Sequence, residues 1–93
     1  MIKSFACKDT RKIFEIGHCK KFPDSIYKNA IIKLAMLNRS GQIHELNIPP
    51  SNRLEKLRGN CAGQYSIRIN DQYRICFNWV DNNAYNVEIV DYH

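Results

Sequence analysis

The run Tyr65-Ser66-Ile67-Arg68-Ile69-Asn70-Asp71-Gln72-Tyr73-Arg74-Ile75-Cys76-Phe77-Asn78-Trp79 decides the fold. Side chains of a strand alternate between two faces, so residues two apart share one. Tyr65, Ile67 and Ile69 therefore make an apolar face, with Ser66, Arg68 and Asn70 opposite. Asn70-Asp71-Gln72 supplies turn residues, and beyond it Tyr73, Ile75, Phe77 and Trp79 alternate with Arg74, Cys76 and Asn78. Asp81-Asn82-Asn83 marks a second turn, and Ala84 to Tyr92 returns as a third strand. On that strand Tyr85, Val87 and Ile89 are expected to pack while Glu88 and Tyr92 face away.

Upstream the period changes. Gln42 to Ser51 is irregular, because Pro49-Pro50 suits neither a helix interior nor a central strand. Before it, Ile26, Tyr27, Ala30, Ile31, Leu34 and Leu37 recur at spacings of three and four, which predicts one buried stripe on a helix. That helix begins at Pro23-Asp24-Ser25, ends at Ser40-Gly41 and keeps Lys28 and Lys33 off the stripe. A shorter helix is expected from a cap at Asp9 or Thr10 through Ile16, with Gly17 as its stop. Ile2 to Phe5 reads as a first strand. These elements predict a single α+β domain over residues 1–93: an N-terminal strand and two helices packed on one face of a mainly antiparallel sheet. The other face is expected to lie open, carrying Arg68, Arg74 and Tyr92.

Composition narrows the class of partner. A chain of 93 residues, 44% apolar, builds one core but no deep enclosed cavity. Its 14 Lys and Arg against 9 Asp and Glu leave a net charge of +5, which suits a polyanion, nucleic acid first. No stretch approaches the roughly 20 apolar residues of a membrane span, and no signal-peptide pattern opens the chain, so a cytoplasmic protein without a membrane partner is expected. Cys7, Cys19, Cys61 and Cys76 form no C-x-x-C pair and lack a histidine at finger spacing, so no metal site is expected.

Two groups of residues carry chemistry. Arg53, Lys56 and Arg58 precede Arg68 and Arg74 of the sheet, and guanidinium forks bind phosphate oxygens bidentately and stabilise charge on a reacting phosphate. The chain closes on Asp91-Tyr92-His93, where an imidazole can move a proton near neutral pH and a phenol can stack on a base. Arginine, tyrosine and histidine suffice for cleavage of RNA, which carries its own 2′-hydroxyl nucleophile. A two-metal nuclease would need an acidic cluster, and the sequence offers none.

Three stretches resemble HigB-type toxins of the RelE/ParE superfamily: Asn52 to Gly59, Gly63 to Phe77 and Ala84 to His93. Met1 to Phe5 is similar to the family's first strand, so the likeness runs the length of the chain. It implies a RelE-like fold and the toxin of a type II toxin–antitoxin pair. It further implies an endoribonuclease without cofactor that cuts mRNA codons in the A site of the 70S ribosome, beside 16S rRNA. The implied partner is a helix-turn-helix antitoxin of the HigA type. By the same resemblance Arg74 would contact the scissile phosphate, Arg58 would stand where the family has a lysine, and Asp91, Tyr92 and His93 would form the terminal motif. His93 would transfer the proton and Tyr92 would stack or position, while Arg53, Lys56 and Arg68 would bind RNA.

The departures are local. Leu57-Arg58-Gly59-Asn60-Cys61 stands where relatives commonly read Leu-Lys-Gly-Asp-Arg. Arg58 keeps the charge but is a poor proton donor, and Cys61 removes a cation. Some members carry a histidine near the position of Glu55, and its absence leaves a second acid–base group to be found. Two rival readings use the same scaffold without cleavage, a ParE-like gyrase poison and a toxin that blocks the ribosome by binding alone.

Overall fold

The computed structural model describes residues 1–57 and 63–91. Within them lie two α-helices, α1 (Lys8–Ile16) and α2 (Tyr27–Arg39), and four strands, β1 (Glu55–Lys56), β2 (Gln64–Arg68), β3 (Tyr73–Val80) and β4 (Asn83–Asp91). The strands form one antiparallel sheet in chain order, β1-β2-β3-β4. The expected α+β meander is therefore present, with β1 added at one edge.

Turn chemistry sets the registers. Asp81 and Asn82 both take positive φ, 51° and 62°, as a two-residue hairpin with right-handed strand twist requires. At the β2–β3 turn the Asn70 side-chain oxygen accepts the backbone N–H groups of Gln72 and Tyr73, at 2.9 and 2.8 Å. The alternation read from sequence holds through both strands: Ile67, Ile75 and Phe77 are fully buried on the apolar face.

β4 departs from simple alternation. Cys76 pairs with Glu88 but Asn78 pairs with Tyr85, so β4 carries one extra residue opposite Phe77. Asn86 absorbs this bulge at φ 54°. The consequence corrects the expectation for Tyr85. Its partner Asn78 puts Tyr85 on the face away from the apolar one, and Ala84, opposite Trp79, takes the fully buried place. Val87 and Ile89 are buried as expected.

The helices cover the apolar face. Ile26, Ala30, Leu34 and Leu37 form the buried stripe with Ile13 of α1, whereas Ile31 remains 39% exposed. The six-residue stripe was too wide for the contact: Ile31 lies instead near α1's C-terminus, its Cδ1 3.6 Å from where a side chain on Gly17 would begin. Gly17 ends α1 in the left-handed conformation, φ 87°, as expected. The start of α1 differs: Cys7 is the N-cap, and Asp9 and Thr10 lie inside the first turn. Thr10 is fully buried, and its hydroxyl accepts the backbone N–H of Ile89 at 3.0 Å, so a tertiary bond has claimed the side chain expected to cap. The N-terminal segment runs parallel to β4 through single bridges, Ile2 to Ala84 and Phe5 to Val87, rather than as a regular strand.

Between α2 and β1 the chain makes short 3-10 turns at Ile43–Asn47 and Pro50–Asn52. This is the stretch its prolines marked as irregular. It leads into β1 and brings the Arg53 carbonyl to Arg74 of the sheet. No described helix is long and apolar enough to cross a membrane.

Candidate functional site

Arg74 faces away from Ile75 and Phe77, as alternation requires, but it does not project into solvent. It is only 8% exposed, and Ser66 and Cys76 beside it are buried too. The expectation of an open face is corrected here. The guanidinium instead meets the segment entering β1 through the Arg53 carbonyl. Arg74 Nε donates to Ser66 Oγ at 3.0 Å, while one Nη donates to the Arg53 carbonyl at 2.6 Å and lies 3.4 Å from the Ser66 carbonyl.

Arg68 sits directly across from Arg74 in the β2–β3 ladder. Opposed residues in a ladder share a face, so both side chains leave the same face, Arg74 reaching toward Ser66 and Arg53 and Arg68 toward the turn. Arg68 is balanced locally. It donates from Nε to the Asn70 carbonyl at 3.1 Å and pairs with the Asp71 carboxylate at the turn.

Glu55 pairs with Ser66 in the β1–β2 ladder and so joins the Arg74 face. Arg53, Glu55, Arg68, Asn70, Asp71 and Arg74 together line a cleft of about 270 Å³. Three guanidiniums against two carboxylates leave it cationic. A cleft of this kind suits a phosphodiester: a guanidinium already ordered by the protein spends less entropy on fixing an anion than a mobile one, and the carboxylate beside it can accept a proton.

Arg53, Arg68 and Arg74 are thus brought together as the sequence suggested. Lys56 is not. Its partner Tyr65, itself opposite Phe77, places it on the helix-side face at the sheet's edge. Asp91 pairs with Tyr73 and so also belongs to the face away from Arg74; its carboxylate accepts Gln72 Nε2 at 3.0 Å. Arg58, Tyr92 and His93 lie outside the described residues, as does Cys61.

Glu55 was missed as a site residue. Sequence reading registered the missing histidine near it and not the carboxylate itself. The usable signal was parity: once Glu55 pairs with Ser66, it must share the face of the sheet arginines. That pairing depends on β1, a two-residue strand too short for periodicity to reveal. Among the described residues no group of three or more His, Cys, Asp or Glu side chains is arranged to hold a metal ion. Cys7, Cys19 and Cys76 are thiols.

Comparison with known proteins shows the family of the chain and neighbours in fold. Residues 3–93 match the family model described as the RelE-like toxin of the type II toxin–antitoxin system HigB. Toxin HigB-1 of Vibrio cholerae is 47% identical over 64 residues, covering 69% of this chain and 67% of the relative. Endoribonuclease HigB of Proteus vulgaris is 31% identical over 93 residues, the whole of both chains. In fold, the chain is similar to a chain of the YoeB–YefM complex from Staphylococcus aureus, with a TM-score of 0.61 and 22% identity over 100% of this chain and 98% of that one.

Proposed function

We propose, for a chain that belongs to the HigB-like family of RelE-like toxins of type II toxin–antitoxin systems, that it is an endoribonuclease acting on mRNA in the ribosomal A site. The observation that carries the reading is the cleft itself: a buried, doubly anchored Arg74 flanked by Arg53 and Arg68, with Glu55 at hand. The curated relative named Endoribonuclease HigB, similar along its whole length, supports the same activity.

The chemistry follows from the groups. The 2′-hydroxyl of RNA attacks the adjacent phosphate, the bond to the 5′-oxygen breaks, and a 2′,3′-cyclic phosphate forms. Arg74 stabilises the charge that builds on the phosphoryl oxygens. Glu55 accepts the 2′-hydroxyl proton, and His93 returns a proton to the leaving 5′-oxygen. Tyr92 stacks on a base or positions the attacking group, and Arg58 adds a second cation to the phosphate. Arg53 and Arg68 bind the backbone on either side. The balance needs no external cofactor.

As the toxin of a type II pair the chain has a protein antitoxin as its partner; a helix-turn-helix protein of the HigA type, together with 16S rRNA and mRNA of the 70S ribosome, completes the proposal. The test is to induce wild type, Arg74→Ala, Glu55→Gln and His93→Ala under tight control and map mRNA ends by primer extension. New ends within translated codons for wild type, lost in Arg74→Ala and His93→Ala and reduced roughly 10²-fold in Glu55→Gln, are expected. Growth arrest with no new ends would make the chain a ribosome blocker or gyrase poison instead.

A further inference from the structure

The carbonyl that anchors Arg74 is itself held from helix α2. Arg53 adopts φ 46° and ψ 55°, the left-handed region, which a residue with a side chain occupies only when its surroundings fix it. The residue before it does the fixing. Asn52 is fully buried, its Nδ2 donates to the Leu46 carbonyl at 3.0 Å and lies 3.1 Å from the Met36 sulfur, and its Oδ1 accepts Lys33 Nζ. Backbone bonds from Asn52 to Pro49 and from Arg53 to Pro50, each 3.0 Å, tighten the same turn.

Lys33 is an unusual choice of donor. It lies on α2 and is half-buried, and burial lowers its pKa. It therefore bears a desolvation cost while its hydrogen bond goes to a neutral amide rather than a carboxylate. That cost is offset if the amide must not turn. With Nδ2 committed to Leu46, the buried Oδ1 needs a donor, and without Lys33 the amide would rotate or the turn would shift. The next residue along the chain is Arg53, whose carbonyl meets Arg74.

We propose that Lys33 and Asn52 form a positioning pair for the cleft. They clamp the Arg53 carbonyl against the Arg74 guanidinium and so hold that guanidinium at the angle at which it meets a phosphate. The second half of this statement rests on the reading of the cleft as an RNA-cleaving site; the first half does not.

Lys33→Met keeps the aliphatic stem and removes the donor, Lys33→Arg restores a cationic donor, and Lys28→Met on the exposed side of the same helix controls for lost charge. The first readout is the ¹⁵N–¹H signal of Arg74 Nε in the purified protein, assigned by its loss in Arg74→Lys. In Lys33→Met this signal is expected to move and to exchange with water roughly tenfold faster, with backbone amide signals elsewhere unchanged. The second readout is cleavage of mRNA in a translation extract. kcat is expected to fall roughly tenfold with KM little altered, since alignment rather than binding is lost. Lys33→Arg should recover both readouts, and Lys28→Met should alter neither. A folded Lys33→Met with an unchanged Arg74 signal overturns the proposal, as does a moved signal with unchanged cleavage. If wild type cleaves no RNA, the functional reading fails and the Arg74 signal alone decides the clamp. Should Lys33→Met not fold, Lys33→Leu, which also lacks a donor, takes its place with the same expectations.

Discussion

The two faces of β3 are both buried at their centre, yet by different means. On one face Ile75 and Phe77 lie fully buried under the helices. On the other Arg74 and Cys76 are buried as well, and Arg74 is held by hydrogen bonds to Ser66 and the Arg53 carbonyl. Apolar burial is non-directional and roughly proportional to area, so it stabilises without dictating one orientation. Burial by hydrogen bonds costs free energy unless each partner is met, so it fixes a single arrangement. Stability should therefore reside mainly on the first face and geometry on the second.

The comparison breaks most visibly at Phe77. Its ring is fully buried and lies 6.2 Å, centroid to centroid, from both Tyr65 and Trp79. Phe77→Ala should cost about 3–5 kcal/mol through lost transfer energy and the cavity left behind. Urea denaturation measures this directly. A cost near that of an exposed residue would mean that the helix-side face is not the main source of stability.

Arg74→Lys attacks the second face. It keeps the charge but loses the fork that reaches Ser66 and Arg53 together. RNA cleavage in a translation extract should fall about 10²–10³-fold, the range for removing one preorganised donor from a developing oxyanion. The denaturation midpoint should move less than in Phe77→Ala. If stability fell as far as activity, the two faces would not be separable in the way their contacts suggest.

How far each face was legible follows from the same contrast. The apolar face is written as a period, and Ile67, Ile75, Phe77 and the α2 stripe could be read from spacing alone. What escaped there were features set by one residue's conformation. Asn86 in the left-handed region shifts the register and turns Tyr85 over, and no periodicity announces that an asparagine will do so. The second face could be read only for parity. Sequence placed Arg68 and Arg74 on one face, but the carbonyl that anchors Arg74 comes from an irregular, proline-bearing segment held by tertiary hydrogen bonds at Asn52. Glu55 escaped for the same reason, since it reaches the cleft only through the pairing of β1.

Thr10 sharpens the comparison, because it is a polar group buried on the supposedly apolar side. Its hydroxyl is the acceptor for the Ile89 N–H. Thr10→Val keeps the shape and leaves that buried donor unmet, for a cost of roughly 1–3 kcal/mol. Thr10→Ser keeps the acceptor and should recover much of that cost. A neutral Thr10→Val in thermal or urea unfolding would show that the helix side needs no directional bond.

The smallest effect is expected at the rim of the helix side, where Asp9 gathers polar partners in partial contact with water. Its carboxylate lies 3.5 Å from Lys21 Nζ and accepts the thiols of Cys19 at 3.5 Å and Cys7 at 3.7 Å. Burial pushes its pKa up, but the hydrogen bonds from Cys19 and Lys21, the Lys21 charge and the Cys7 thiol together outweigh it, and the net shift is downward. A carboxyl whose folded pKa lies below its ordinary value of 3.8 binds fewer protons folded than unfolded. Its stabilisation is therefore present above that value and lost as pH falls through the lowered one. Asp9→Asn should lower the melting temperature slightly near neutral pH, and its difference from wild type should shrink as pH drops below 3.8. The Lys21 partner is 62% exposed, so added salt should shrink the difference as well. A difference independent of both pH and salt would assign the effect to the neutral thiol contacts rather than to charge, and would make this rim resemble the hydrogen-bonded cleft more than the apolar core beside it.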